Sequence, residues 1–237
     1  MPTSRAHPLD TTTTADALPL LRLLQLASPA LPVGAFNFSQ GLEYAVEQGW
    51  VRDAAGTTEW ILGVATHGIA TLDLPFLLRL HAAWSAGDAQ CALRLSRELV
   101  AARETLELRA EERHMGQSLA RVLSALGIES ARQWQRETGA SHAALFALGA
   151  SHAGASARDA AVAYLWTWAE NQVLAAVKLI PLGQTDGQRA LEAFRLQVPR
   201  LVESAAALAD EEVGTATPLA MMASAWHESQ YSRLFRS

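Results

Sequence analysis

The residues of this chain with the chemistry for metal binding or acid–base work are seven histidines, one cysteine and two clusters of carboxylates. The histidines are His7, His67, His81, His114, His142, His152 and His227, and none lies three or four residues from another. No helix therefore presents a ready pair of ligands, and Cys91 has no CxxC partner. That spacing favours solvated or core histidines. His142 and His152, in a stretch that reads as loop-rich, remain weak candidates for transient metal contact. Nucleophilic catalysis has less support. There is no GxSxG elbow, and no Ser or Cys has a recognisable base nearby in sequence. A Gly-rich phosphate loop is also missing.

The carboxylates occur as Glu111–Glu112 and as Asp210–Glu211–Glu212. The second set reads as a solvated helix end. The first interrupts an apolar helical stripe, which makes a polar seam against another helix the simpler reading and a functional role the sharper one. Lys178 stands out as the single lysine among 19 basic residues. It sits at the end of the most hydrophobic segment, with Asn171 seven residues back on the same face. A basic group there either snorkels to the surface or finds a carboxylate, and Glu112 is the first candidate partner. The tail carries Tyr231, Leu234 and Phe235 between Arg233 and Arg236. Nine residues, Ser229–Ser237, cannot bury three large apolar groups alone. The tail either docks on its own domain or orders on a partner. Its residue types are those that anchor interfaces.

The elements that must position these groups read as helices. The chain has 237 residues, half of them hydrophobic and 18% charged, enough for one sizeable core. Alanine and leucine dominate and β-branched runs are scarce, so the fold class is all-α. About ten helices are expected in a single domain around a buried central helix. Asp16 caps a helix through Leu26. Pro29 and Pro32 end it and force an extended loop. Ser39 opens a second helix and Gly49 stops it. Asp53 and Asp88 cap others, with Leu74–Trp84 between them. Near Glu104–Leu126 the spacing of Leu108, Met115, Leu119, Val122 and Leu126 is a helical stripe. Shorter helices follow at Ser130–Arg136 and His142–Leu148. Arg158–Ile180 is apolar nearly all round, as a buried central helix must be. Thr185 caps a long helix to about Ala209, kinked at Pro199. A last helix spans Pro218–Trp226. Residues 1–15 read as a flexible arm, 16–227 as the helical domain and 228–237 as a partner-binding tail.

A formal charge of −5 gives no basic footprint for nucleic acid. No apolar run reads as long enough for a membrane span, and the polar first residues do not make a secretory signal. One cysteine fits a reducing compartment. The expectation is a cytoplasmic protein.

The segment Ser28–Glu43, SPALPVGAFNFSQGLE, resembles no enzyme motif but does resemble the start of the urease accessory protein UreF. The resemblance continues through Leu23–Val51, through ETLELRAEERHMGQSLARVL at Glu104–Leu123, and through VKLIPLGQTDGQRAL at Val177–Leu191. It reaches the end of the chain in HESQYSRLFRS at His227–Ser237. Four separated matches in order make it specific. Asn37 departs from the serine that many relatives carry, a small change between polar loop formers. The motif residues singled out are Ser28, Pro29, Pro32, Gly34, Phe36, Ser39, Gly41 and Glu43, with Glu112 and Lys178.

The resemblance implies an all-helical protein that dimerises and binds a second accessory protein, UreD (also called UreH). It implies that the complex recruits the GTPase UreG, which brings nickel, and that together they activate apo-urease. It implies an adaptor and regulator of the GTPase step rather than an enzyme, with nickel handled by the assembled complex and no cofactor held firmly by this chain. In such relatives the C-terminal tail engages UreD, which makes Tyr231, Arg233, Leu234, Phe235, Arg236 and Ser237 the expected partner-binding residues. The rival classes are a helical metal-binding enzyme, which stoichiometric metal or intrinsic turnover would reveal, and a general helical scaffold unrelated to urease.

Overall fold

In a computed structural model the described residues are 17–237, and they hold eleven α-helices and no strand. The expected cap at Asp16 and the arm at 1–15 lie outside them. Helix α1 is Leu18–Leu26, with Pro19 in its first turn where a missing N–H costs nothing. The proline-bearing loop leads through a 3₁₀ turn, Ala35–Asn37, into α2, Leu42–Glu47. That helix starts three residues after Ser39, but the Ser39 hydroxyl accepts the Glu43 N–H, so the serine still serves its first turn.

Asp53 caps α3, Ala54–Val64, by accepting the Gly56 N–H. Helix α3 does not stop before the next one. It runs through a π-helical segment, Ala65–Asp73, into α4, Leu74–Ser85. The carbonyls of His67 and Thr71 inside that segment accept N–H groups from Ala216 and Gly214, so an extended stretch braces the widened turn. The sequence reading broke this helix because Thr66, Gly68, Thr71 and Asp73 interrupt its apolar run. Joined, Ala54–Ser85 is long and apolar enough to cross a membrane by length and composition, which corrects the reading that no segment is. Its most apolar window is 56% buried within this fold, against α5, α7, α8, α9 and α10. Their ranges are Ala89–Ala102 for α5, His142–His152 for α7, Ala157–Leu179 for α8, Gln184–Arg195 for α9 and Val198–Ala207 for α10.

Helix α6, Leu106–Ala125, is capped by Thr105, whose hydroxyl accepts the Leu108 N–H. Gly116 lets α6 pass the start of α7, since a Cβ there would meet the Ala140 carbonyl oxygen at 2.5 Å. A 3₁₀ segment at Glu129–Arg136 takes the place of the expected short helix. The expected single helix from Thr185 to Ala209 is two helices, α9 and α10, parted at Leu196–Gln197. Pro199 begins a new helix rather than kinking an old one, because the first turn tolerates proline and the interior does not. The last helix, α11, is Pro218–His227.

Two helices share the centre. Helix α8, expected there, touches α1, α2, α3, α4, α7, α9 and α10. Yet it keeps Val162 and Leu174 exposed, while α7 is buried at every residue from His142 to Ala150. Small alanines let neighbours close on α7 from all sides. A smaller second cluster packs Leu42, Ala45, Val51, Ala175, Ala176 and Ile180 around Phe235 from the tail.

Candidate functional site

The motif loop is shaped by its glycines and closed by the chain end. Phe38 and Ser39 turn inward, and Phe36 stays on the surface. Gln40 and Gly41 then adopt left-handed φ values of 54° and 83°. Gly41 admits no other residue without a shift, because a Cβ would stand 2.7 Å from the Ser224 amide nitrogen of α11. This close approach brings the loop, α11 and the tail together.

Glu43 is the tail's main anchor. Its carboxylate accepts the N–H of Leu234 at 2.6 Å and that of Phe235 at 2.9 Å. It also lies 3.1 Å from His227 Nε2. The other ring nitrogen, Nδ1, stands 2.7 Å from Glu107, which in turn takes Arg233 at 2.9 Å. His227 is wholly buried, so this ring ties α2, α6 and α11 to the tail. Further along, Arg236 N–H donates to the Asn37 carbonyl, and Ser237 is fully enclosed.

Behind this anchor lies a second layer of buried polar groups. Trp168 donates its indole N–H to the Gln40 side-chain oxygen at 2.7 Å, and the Gln40 amide donates to Glu111 at 2.8 Å. Ser237 Oγ donates to the other Glu111 oxygen. Burial pushes the Glu111 carboxyl up from 4.5 to about 7, opposed by the hydrogen bonds from Gln40 and Ser237. Next to it, Arg103 bridges Asp73 and Glu112, each at 2.5 Å. Glu112 also accepts the His142 N–H at 2.7 Å, and Tyr164 donates its hydroxyl to Asp73. Burial lowers the His142 imidazole to about 4. These groups line a cavity of about 40 Å³, with Gln40, Glu111, His142 and Trp168 on its wall. That is space for about three waters. No group of three or more His, Cys, Asp or Glu side chains converges for a metal among the described residues.

The family model UreF matches residues 51–195. A urease accessory protein UreF from Alkalilimnicola ehrlichii is 48% identical over 226 residues, covering 95% of this chain and 99% of its own length. One from Azoarcus sp. (strain BH72) is 47% identical and covers 97% and 100%. One from Chromohalobacter salexigens is 46% identical, covering 94% and 96%. The chain belongs to the UreF family.

Within this UreF-family chain, Lys178 takes the first of its two alternatives and reaches the surface at the end of α8. It is exposed, and its ammonium stands 5.6 Å from the Phe235 ring centroid and 5.9 Å from that of Phe36. Its neighbours are two aromatic faces, one from the motif loop and one from the tail. Glu112 is spoken for by Arg103 and the His142 amide, so the Lys178–Glu112 pairing is corrected. The tail follows the first of its two alternatives and docks on its own domain, with Phe235 and Ser237 buried. Its outward groups are Tyr231, which is fully exposed, and Leu234. Pro29 and Pro32 are exposed at the loop's start, where Ser28 Oγ accepts the Ala30 N–H. Gly34 supports the turn with a φ of 80°.

His142 and His152 stand at opposite ends of α7, not in a loop. His142 is buried among Phe146 and Tyr164, and His152 is exposed. The sequence reading did not select Gln40, Asp73, Arg103, Glu107 or His227. Glu111 carried the one usable signal, the break in an apolar stripe. A charged residue at a core-facing position needs a partner, and here the partners come from residues 71 and 126 positions away.

Proposed function

We propose that this chain is a non-catalytic adaptor in urease maturation. It binds UreD/UreH, recruits the GTPase UreG and regulates its GTPase step, so that nickel passes into apo-urease. The observation that carries the reading is the convergence of the loop motif and the tail, clasped by the Ser39–Ser237 hydrogen bonds across 198 residues of chain. The Lys178 ammonium stands beside the rings of Phe36 from the loop and Phe235 from the tail, and Phe36, Tyr231 and Leu234 are exposed. Aromatic and cationic groups over a fixed polar base are what a protein partner grips. The names of the relatives, urease accessory proteins, support the setting.

The adaptor is a homodimer in this reading. Helix α1 leaves Leu18, Leu20, Leu21 and Leu24 more than half exposed, an apolar row that calls for cover. The single thiol, Cys91, is free, which suits the cytoplasm. Nickel is cargo of the assembled complex, and this chain holds no firm cofactor. Co-expression with UreD, UreG and apo-urease tests the function. The expected result is a complex recovered on any one subunit, together with nickel-loaded, active urease. Active urease formed equally well without this chain overturns it.

A further inference from the structure

A second face of the molecule is apolar and lies open among the described residues. Helix α3 buries only Thr57 and Ile61. Together with Trp50 and the start of α11, it walls a groove of about 400 Å³, lined by Trp50, Trp60, Val64 and Leu219 with Glu59 beside them. That volume is in the range of ordinary binding clefts. Gly63 also lines the groove, and a Cβ built on it meets no atom within 4 Å. A glycine inside a helix weakens that helix, and no neighbour in this chain requires the space. The groove continues into an aromatic cluster. Trp50 stands 6.1 Å from Trp226 and 5.8 Å from Tyr44, and Tyr44 stands 5.6 Å from Trp226. Leu219, Met222 and Trp226 fall on one side of α11 and are all exposed. The charge on these elements is one-sided. Glu47, Asp53, Glu59 and Glu228 are exposed, against Arg52 alone. Arg52 gives its Nε–H to the Gly49 carbonyl at 2.5 Å.

We propose that this face is the docking site for a basic amphipathic helix of a partner protein. Aliphatic side chains of that helix fill the groove between Trp60 and Leu219. The helix lies close to α3 at Gly63, and its lysines or arginines meet Glu59 and the acidic rim. Tryptophan and tyrosine dominate the energetics of interfaces, and a helix laid in an apolar groove is a recurring mode of recognition. Charge sets the sign of the partner, because an acidic helix would set like charges against each other. The same ground disfavours a second copy of this chain, whose identical face would bring acid to acid. The surface shares no residue with the Phe36–Lys178 face. The inference goes beyond the adaptor reading, and it is tested on the isolated chain with no urease readout.

The probe is a synthetic amphipathic peptide of leucine and lysine, LKKLLKLLKKLLKL, with a counterpart carrying glutamate at every lysine. Fluorescence anisotropy of each labelled peptide is measured against the full chain and against its Gly63→Trp and Glu59→Lys variants at physiological ionic strength. Gly63→Trp plugs the groove from a position with open space. Circular dichroism and melting curves check that both variants keep the parent fold. The parent is expected to bind the lysine peptide at least about tenfold tighter than the glutamate peptide. Each variant is expected to lose at least about tenfold of that affinity. No binding of the lysine peptide by the parent overturns the proposal. Equal binding of the glutamate peptide shows that charge is not read, and parent-like affinity in folded Gly63→Trp places the binding elsewhere; either result overturns it. Self-association of the parent that Gly63→Trp abolishes shows that a second copy covers the face, and overturns it too.

Discussion

Glu43 grips two consecutive peptide N–H groups of the tail, Leu234 on one oxygen at 2.6 Å and Phe235 at 2.9 Å. A residue near the start of the chain thus fixes the last turn of its end. Glu43→Ala removes the acceptor, strands two buried donors and leaves His227 facing one carboxylate. A loss of about 2–4 kcal/mol is expected, since bonds to charged groups contribute about 1.5–3 kcal/mol. Urea denaturation measures it. A change below about 0.5 kcal/mol, the range of a surface substitution, contradicts the anchoring role.

Deleting Arg233–Ser237 removes Phe235 from the second apolar cluster and empties the site at Ser39. Burial of one phenylalanine is worth about 1.5–3 kcal/mol, so the truncated chain should melt several degrees lower while keeping its helical circular dichroism. An unaltered melting curve shows that the strap is undocked in solution.

Glu111 makes stability depend on pH. Its folded carboxyl titrates near 7 and its ordinary value is 4.5, so the folded chain holds the proton more tightly. The contribution is full below pH 4.5 and is lost as pH rises to about 7. Glu111→Gln keeps an acceptor for Gln40 and cannot ionise. It should gain on the parent by up to on the order of 3 kcal/mol above neutrality and show little difference under acid conditions. Parallel melting curves at all pH values count against a buried, proton-holding Glu111.

Lys178→Ala costs under about 1 kcal/mol, the range for an exposed cation over aromatic rings. It should leave a folded dimer that binds UreD and yet activates urease poorly. Full activation by this variant, or a loss explained by unfolding, reduces Lys178 to a helix-end lysine.

Isolated protein should hydrolyse no GTP and should run as a dimer. Rigorously purified chain showing turnover would sink the adaptor assignment. Light scattering at 25.5 kDa, at micromolar concentration, would sink the dimer.

Several helix starts were legible because they rest on local chemistry. Asp53 and Asp88 cap through hydrogen bonds within three residues, and their boundaries need no distant partner. The π segment at Ala65–Asp73 was not legible. Its bracing comes from Gly214 and Ala216, far along the chain. The break at Leu196–Gln197 was misplaced because a proline reads alike as a kink and as a first turn. Glu112 was noticed as an oddity and given the wrong partner. Its true one, Arg103, sits nine residues away across a helix start, and sequence spacing does not rank such partners.

Composition and periodicity by themselves determined an all-helical chain, and the ordered motifs determined the UreF family. Both follow from patterns that repeat along the chain, where each turn supplies its own signal. Only the tertiary structure decided that α7 shares the centre and that Lys178 faces two rings. It alone decided that Ser237 closes the loop begun at Ser39. Those facts depend on which surfaces meet after the chain has folded back over 198 residues. Burial and charge pairing choose such meetings jointly, and no short stretch of sequence encodes them.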